Sequence, residues 1–342
     1  MIVSYTPHQA DPKEYAYVSG SFAVRRGLLL PVQELQSVPR TIEALVTLLN
    51  RGVYAPMGAI LTAQDALMHV EDVWRRFLER TARDLPEPFL PYVLKILDER
   101  DYAKAGLAGF LLYGDKCPAK MTGLAAEYGE YCSRLEKAGE KASLLFKETF
   151  FGRSLADGLR SSQRDASASD AQMMFDLSVS EELHRLAVAY GHPSVIAYSD
   201  GLLDLVLAGY VLKLKLRSSS GVAVSAERSF AFADLGARAK LTALAEHVQP
   251  IAWDMLQPRD LVGPAVVADL PTDRRYTKGQ RLRMLEDSLE TWLVDYTRSS
   301  DAEPYGVTMV FAYMIDFRRE VWTLRRLLRS AVLIESAQRG AR

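Results

Sequence analysis

The chain has 342 residues, 49% hydrophobic and 25% charged, a composition typical of a globular protein with two or three core-bearing units. Its 42 basic and 43 acidic side chains leave a net charge of −1, which excludes the basic excess expected of a nucleic-acid protein.

Two cysteines, Cys117 and Cys132, give no disulfide framework and point to a reducing compartment. The opening Met1-Ile-Val-Ser-Tyr-Thr-Pro-His lacks the charged and apolar regions of a signal peptide. The longest apolar runs, near Leu107–Tyr113 and Leu205–Leu212, fall short of the ~20 residues that cross a bilayer.

In chain order, 14–30 reads as a helix interrupted at Pro31. Ser37-Val38-Pro39 opens the next, with Ile42, Leu45, Val46 and Leu49 on its apolar face and Asn50-Arg51-Gly52 as its stop. The spacing of Leu67, Val70, Trp74, Phe77 and Leu78 predicts a helix over 58–82, and another runs over 89–112. Residues 122–159 read as helix in two pieces. Ser161–Asp170 is polar and small, the strongest linker pattern in the chain. Helices follow at 172–190, 194–217 and 227–249, with a loop at Ser218–Gly221. Pro250, Pro258, Pro264 and Pro271 break the next stretch before a helix at 279–298. The last helix has apolar residues at Val307, Val310, Met314, Phe317, Val321, Leu324, Leu328 and Val332, a single face. Only Val222–Ser225 approaches period-two alternation, so the fold class is all-α.

No phosphate-cradling Gly-x4-Gly-Lys-Ser/Thr loop is present, so no ATP hydrolysis or direct nucleotide binding is expected of this chain, and no cofactor motif appears. His8, His69, His184, His192 and His247 show no metal spacing. Asp98, Glu99 and Asp101 lie among Lys95, Arg100 and Lys104, the pattern of a salt-bridged helix surface. On the last helix, Trp322 falls on the polar side, flanked by Arg318, Arg325, Arg326 and Arg329, with Arg319 on the same side. An aromatic among arginines is the composition of a partner-binding hot spot, and these six residues are the candidate site; the alternative is that a neighbouring helix covers Trp322.

Several motifs carry a resemblance. Pro304-Tyr-Gly306, Ala312-Tyr-Met314, Arg319-Glu-Val321 and Leu324-Arg325 resemble the C-terminal signature of the C subunit of archaeal and bacterial V/A-type rotary ATPases, called d in the vacuolar enzyme. Tyr15-Ala-Tyr17, Leu28-Leu29, Gly52-Val53-Tyr54 and Tyr198 ahead of Asp204 echo other family positions. The family's repeated acid-x-x-Asn falls at Asp101, Asp204 and Glu320, with Lys104, Leu207 and Thr323 where the family has Asn. The resemblance implies a funnel of three similar helical bundles with pseudo-threefold symmetry, over 1–115, 116–222 and 223–342. It also implies a non-catalytic central-stalk subunit between the rotor shaft and the membrane proteolipid ring, peripheral on the cytoplasmic face. A helical adaptor of the same fold that serves no ATPase is the alternative.

Overall fold

The computed structural model describes residues 12–39, 41–55, 62–162, 168–218, 235–262, 269–272, 275–299 and 306–340. Among them every regular element is a helix, so the chain is all-α as its periodicity requires. The expectations for the N-terminal octapeptide, for Val222–Ser225, for most of the loop at Ser218–Gly221 and for Pro304-Tyr305 lie outside the described residues, as does the 222/223 boundary.

The first helix, α1 (Ala16–Arg26), is shorter than its apolar pattern suggests, because Gly27 to Leu29 close a turn. Pro31, extended at φ −60 and ψ 135, then starts a short α2 (Val32–Ser37) that the sequence did not announce. Next, α3 (Ile42–Leu49) is capped by the Thr41 side chain, which accepts from Ala44 N–H. A full capping box formed by Thr62 and Asp65 opens α4 (Ala63–Asp84). Its buried stripe of Ala66, Val70, Trp74, Phe77 and Thr81 follows the three- and four-residue steps of a helix face.

Further along come α5 (Phe89–Tyr113), α6 (Cys117–Lys120), α7 (Leu124–Ala138), α8 (Gly152–Ser162), α9 (Ala168–Tyr190) and α10 (Pro193–Ser218). The two pieces expected over 122–159 are α7 and α8, joined through a 3-10 segment at Gly139–Leu144. The polar stretch 161–170 joins two helices that pack on each other, so its described ends belong to a helical hairpin. The remaining elements are α11 (Leu235–Val248), α12 (Arg259–Val262), α13 (Lys278–Ser299) and α14 (Val307–Gly340).

These helices form two compact units. The first comprises the described residues of 96–301. One hydrophobic core of this unit joins Met173 and Leu177 of α9, Leu207 and Val211 of α10, Leu241 of α11 and Leu285 and Leu289 of α13. Within it, α10 is long and apolar enough to cross a membrane, yet most of it is buried against α9, α11 and α13, as suits a core helix. The proline-rich 250s and 270s are held by two buried cations. Lys215 Nζ donates to the carbonyls of Val248 and Gln249 at 3.1 and 2.9 Å, closing the C-terminus of α11 where a cation is favoured. Arg281 donates to the carbonyls of Pro271 and Leu256 at 2.7 and 2.6 Å. Near the start of this unit, Gly106 lets α5 approach α7 closely. A Cβ there would stand 2.6 Å from the Tyr128 Cβ and 2.9 Å from the Ala125 carbonyl.

The second unit comprises the described residues of 8–95 and 302–342, which bring α14 against α1 and α4. Its core is aromatic. Phe77 and Phe317 meet edge to face at 4.8 Å between centroids, Phe22 stacks on Tyr313 at 5.0 Å, and Trp74 packs edge-on against Phe317 at 5.6 Å.

Candidate functional site on the last helix

The buried side of α14 carries a fully enclosed carboxylate. Glu320 is 2% exposed, and its Oε2 accepts from the Leu30 backbone N–H at 2.7 Å. Burial pushes its pKa from the usual 4.5 to about 7. The Leu30 and Tyr54 hydrogen-bonding groups oppose that rise, while nearby Asp316 adds to it. Tyr54 is 1% exposed, and burial beside Glu320 drives its phenol well above its usual pKa. Asp316, one turn earlier, accepts from Arg26 Nε at 3.1 Å. Glu320 therefore sits between its own helix neighbour Asp316 and residues from two distant parts of the sequence, Leu30 and Tyr54.

The arginine side of the same helix divides into two groups. Arg325, 8% exposed, makes a two-pronged ion pair with Glu71 of α4, at 2.8 Å from Nε and 2.6 Å from Nη2. It is a strut between α14 and α4. Arg326 is exposed, and its guanidinium lies over the ring of half-buried Trp322 at 5.0 Å from the centroid. Arg318 and Arg319 are half-buried and Arg329 is exposed. Of the six candidate residues, Trp322, Arg326 and Arg329 thus present surface, whereas Arg325 is committed internally. No local pattern could have revealed Glu71 as its partner, because 254 residues separate the two.

The three acids aligned by the repeat pattern occupy different environments. Asp101 is exposed, Asp204 is half-buried with Lys240 Nζ at 3.5 Å, and Glu320 is buried. The residues three positions later are all absorbed locally. Lys104 pairs with Asp176, Leu207 is core, and the Thr323 hydroxyl donates to the Arg319 carbonyl at 2.9 Å. Asp176 is nearly enclosed and also receives Arg100 at 2.9 and 2.7 Å, and these cations hold its carboxyl below the usual range despite the cost of burial.

Among the described residues no three His, Cys, Asp or Glu side chains gather as a metal site. His184 instead meets Asp200 at 2.9 Å. The acidic stretch near residue 100 is partly internal, since Glu99 is buried and accepts from the Tyr128 hydroxyl at 2.8 Å. No family model matches the chain. No curated protein matches it either.

Proposed function

We propose that this chain is a non-catalytic helical subunit of the V/A rotary ATPase kind, coupling a rotor shaft to a membrane proteolipid ring. One observation carries the reading. The N-terminal and C-terminal motifs, some three hundred positions apart, fall in one unit, whereas Asp101, Tyr198 and Asp204 belong to the other. Leu30, just after Leu28-Leu29, binds Glu320, Tyr54 packs beside that glutamate, and Ser19, four residues after Tyr15, accepts from Gly306 N–H at 2.9 Å. Tyr313 and Arg325 belong to the same helix and the same unit. A shared scaffold would keep such buried positions longest, because core packing tolerates change poorly.

On this reading the segments 1–115, 116–222 and 223–342 are successive bundles of a pseudo-threefold funnel. Closure of such a ring is consistent with the last helix packing on the first. The Trp322–Arg326–Arg329 face would meet a shaft or ring partner at the cytoplasmic face of the membrane.

The adaptor alternative has its own support. All three positions where the family shows Asn are committed to internal contacts here, leaving no amide to offer a partner. A pull-down of the tagged chain from native membranes separates the readings. Co-purification of rotary-ATPase shaft and proteolipid subunits is expected, and recovery of the chain without any of them would overturn the motor reading.

A further inference from the structure

One cavity in the second unit has a lining that the proposed function does not use. It measures about 550 Å³, within the ~300–1,000 Å³ range of small-molecule pockets. Its base is one edge of the aromatic core, formed by Tyr54, Phe77, Tyr313 and Phe317. Its cationic lining is Arg25 of α1 with Arg76 and Arg80 of α4, and His69 lies one turn before Val73 on the same α4 face. The His69 ring is anchored by Nε2–H donating to the Tyr54 carbonyl at 2.8 Å. No Asp or Glu contributes to the lining.

The arginines of α4 sort by partner. Arg75 pairs with Asp72 at 2.7 Å and Arg83 with Asp84 at 3.4 Å, and neither lines the cavity. Among the described residues Arg25, Arg76 and Arg80 have no carboxylate partner; the Arg76 Nε reaches only the Asp72 backbone carbonyl, at 3.2 Å. Arg76 and Arg80 also stand four residues apart, a spacing at which like charges repel. Three cations converging over an aromatic base without a counter-charge make a site complementary to a molecule with an anionic head and a flat apolar body. The head would receive charge-assisted hydrogen bonds from Arg76 and Arg80, and the body would lie against Phe77 and Tyr313.

We infer that this cavity binds a small aryl anion of one or two rings, bearing a phosphate, sulfonate or carboxylate. The site does not depend on the rotary-motor reading. Calorimetric titration of the full chain with 1-naphthyl phosphate tests it, with 1-naphthol and inorganic phosphate as the two halves of the probe. The expected result is one-to-one binding of the aryl phosphate, with each half weaker by roughly tenfold or more. The double variant Arg76→Gln/Arg80→Gln should weaken binding by roughly tenfold or more without lowering the melting temperature, since both side chains are exposed. Arg75→Gln/Arg83→Gln makes the same charge change outside the lining, at Arg75 on the other side of the helix and at Arg83 a turn beyond Arg80, and should leave affinity within about twofold. Absence of binding overturns the inference. Equal affinity for 1-naphthol would reduce the cavity to an apolar adsorption surface, and equal losses in the two double variants would reduce the effect to net charge; either result also overturns it.

Discussion

Glu320→Gln isolates the cost of burying an ionisable carboxyl in the second unit. The amide oxygen can still accept from Leu30 N–H, and the new NH2 lies beside Tyr54 Oη. The native carboxyl titrates near 7 when folded and near 4.5 when exposed. Below pH 4.5 both states hold the proton and the glutamate carries no penalty. From there to pH 7 the unfolded chain ionises while the folded chain stays protonated, so folding stability falls as pH rises. Above pH 7 the loss is complete, and 2.5 pH units at about 1.36 kcal/mol each gives about 3 kcal/mol. Urea denaturation of wild type and variant at pH 4, 6 and 8 reads this directly. Subtracting the two profiles removes most of what other groups contribute, including the Arg26–Asp316 pair nearby. Near-equal stability is expected at pH 4, with the variant ahead by about 3 kcal/mol at pH 8. A difference that stays flat across this range would refute the assignment of a buried, proton-holding glutamate.

Three further outcomes are expected. Asp176→Ala strands Arg100 and Lys104 and should cost about 3–5 kcal/mol in urea denaturation; a loss under about 1 kcal/mol would mean that water reaches the cluster. Trp322→Ala removes a half-buried ring and should cost about 2 kcal/mol, less than the ~3–5 of a fully buried aromatic. On the proposed function it should weaken attachment to shaft or ring well beyond what Arg326→Ala does, and a melting loss with assembly intact would remove the interface role. Gly106→Ala should destabilise the first unit by about 1–3 kcal/mol through overpacking against Tyr128, measured by thermal melting, with no effect if α5 and α7 can part freely.

The helices were legible wherever apolar spacing ran long. The stripe of Val70, Trp74 and Phe77 in α4 and that of Val310, Phe317 and Leu324 in α14 are buried as their periods require. The Trp322–Arg326 contact was legible too, because residues four apart share a helix face. Short elements such as α2 and α12 were not, since four to six residues hold too few periods to register. The fate of charged residues was least legible. Asp101 and Glu320 look alike in local sequence, yet one is solvated and the other enclosed, because enclosure depends on Leu30 and Tyr54 arriving from far away. Arg325 likewise shares its local composition with Arg326, yet it is buried and paired with Glu71 from far along the chain.

The discontinuity of the second unit sets an order of events during synthesis. Its α1 and α4 emerge from the ribosome early, whereas α14, which carries Tyr313, Phe317 and Glu320, follows the residues of 96–301. At ~5–20 residues per second, translating the intervening two hundred or so residues takes roughly 10–40 s. Throughout that interval Phe22, Trp74 and Phe77 have no α14 aromatics to pack against, while the described residues of the first unit all fall within 96–301 and can close their own core. The nascent chain thus carries an open aromatic face for tens of seconds, a window in which a holdase chaperone would find its target on α1 and α4.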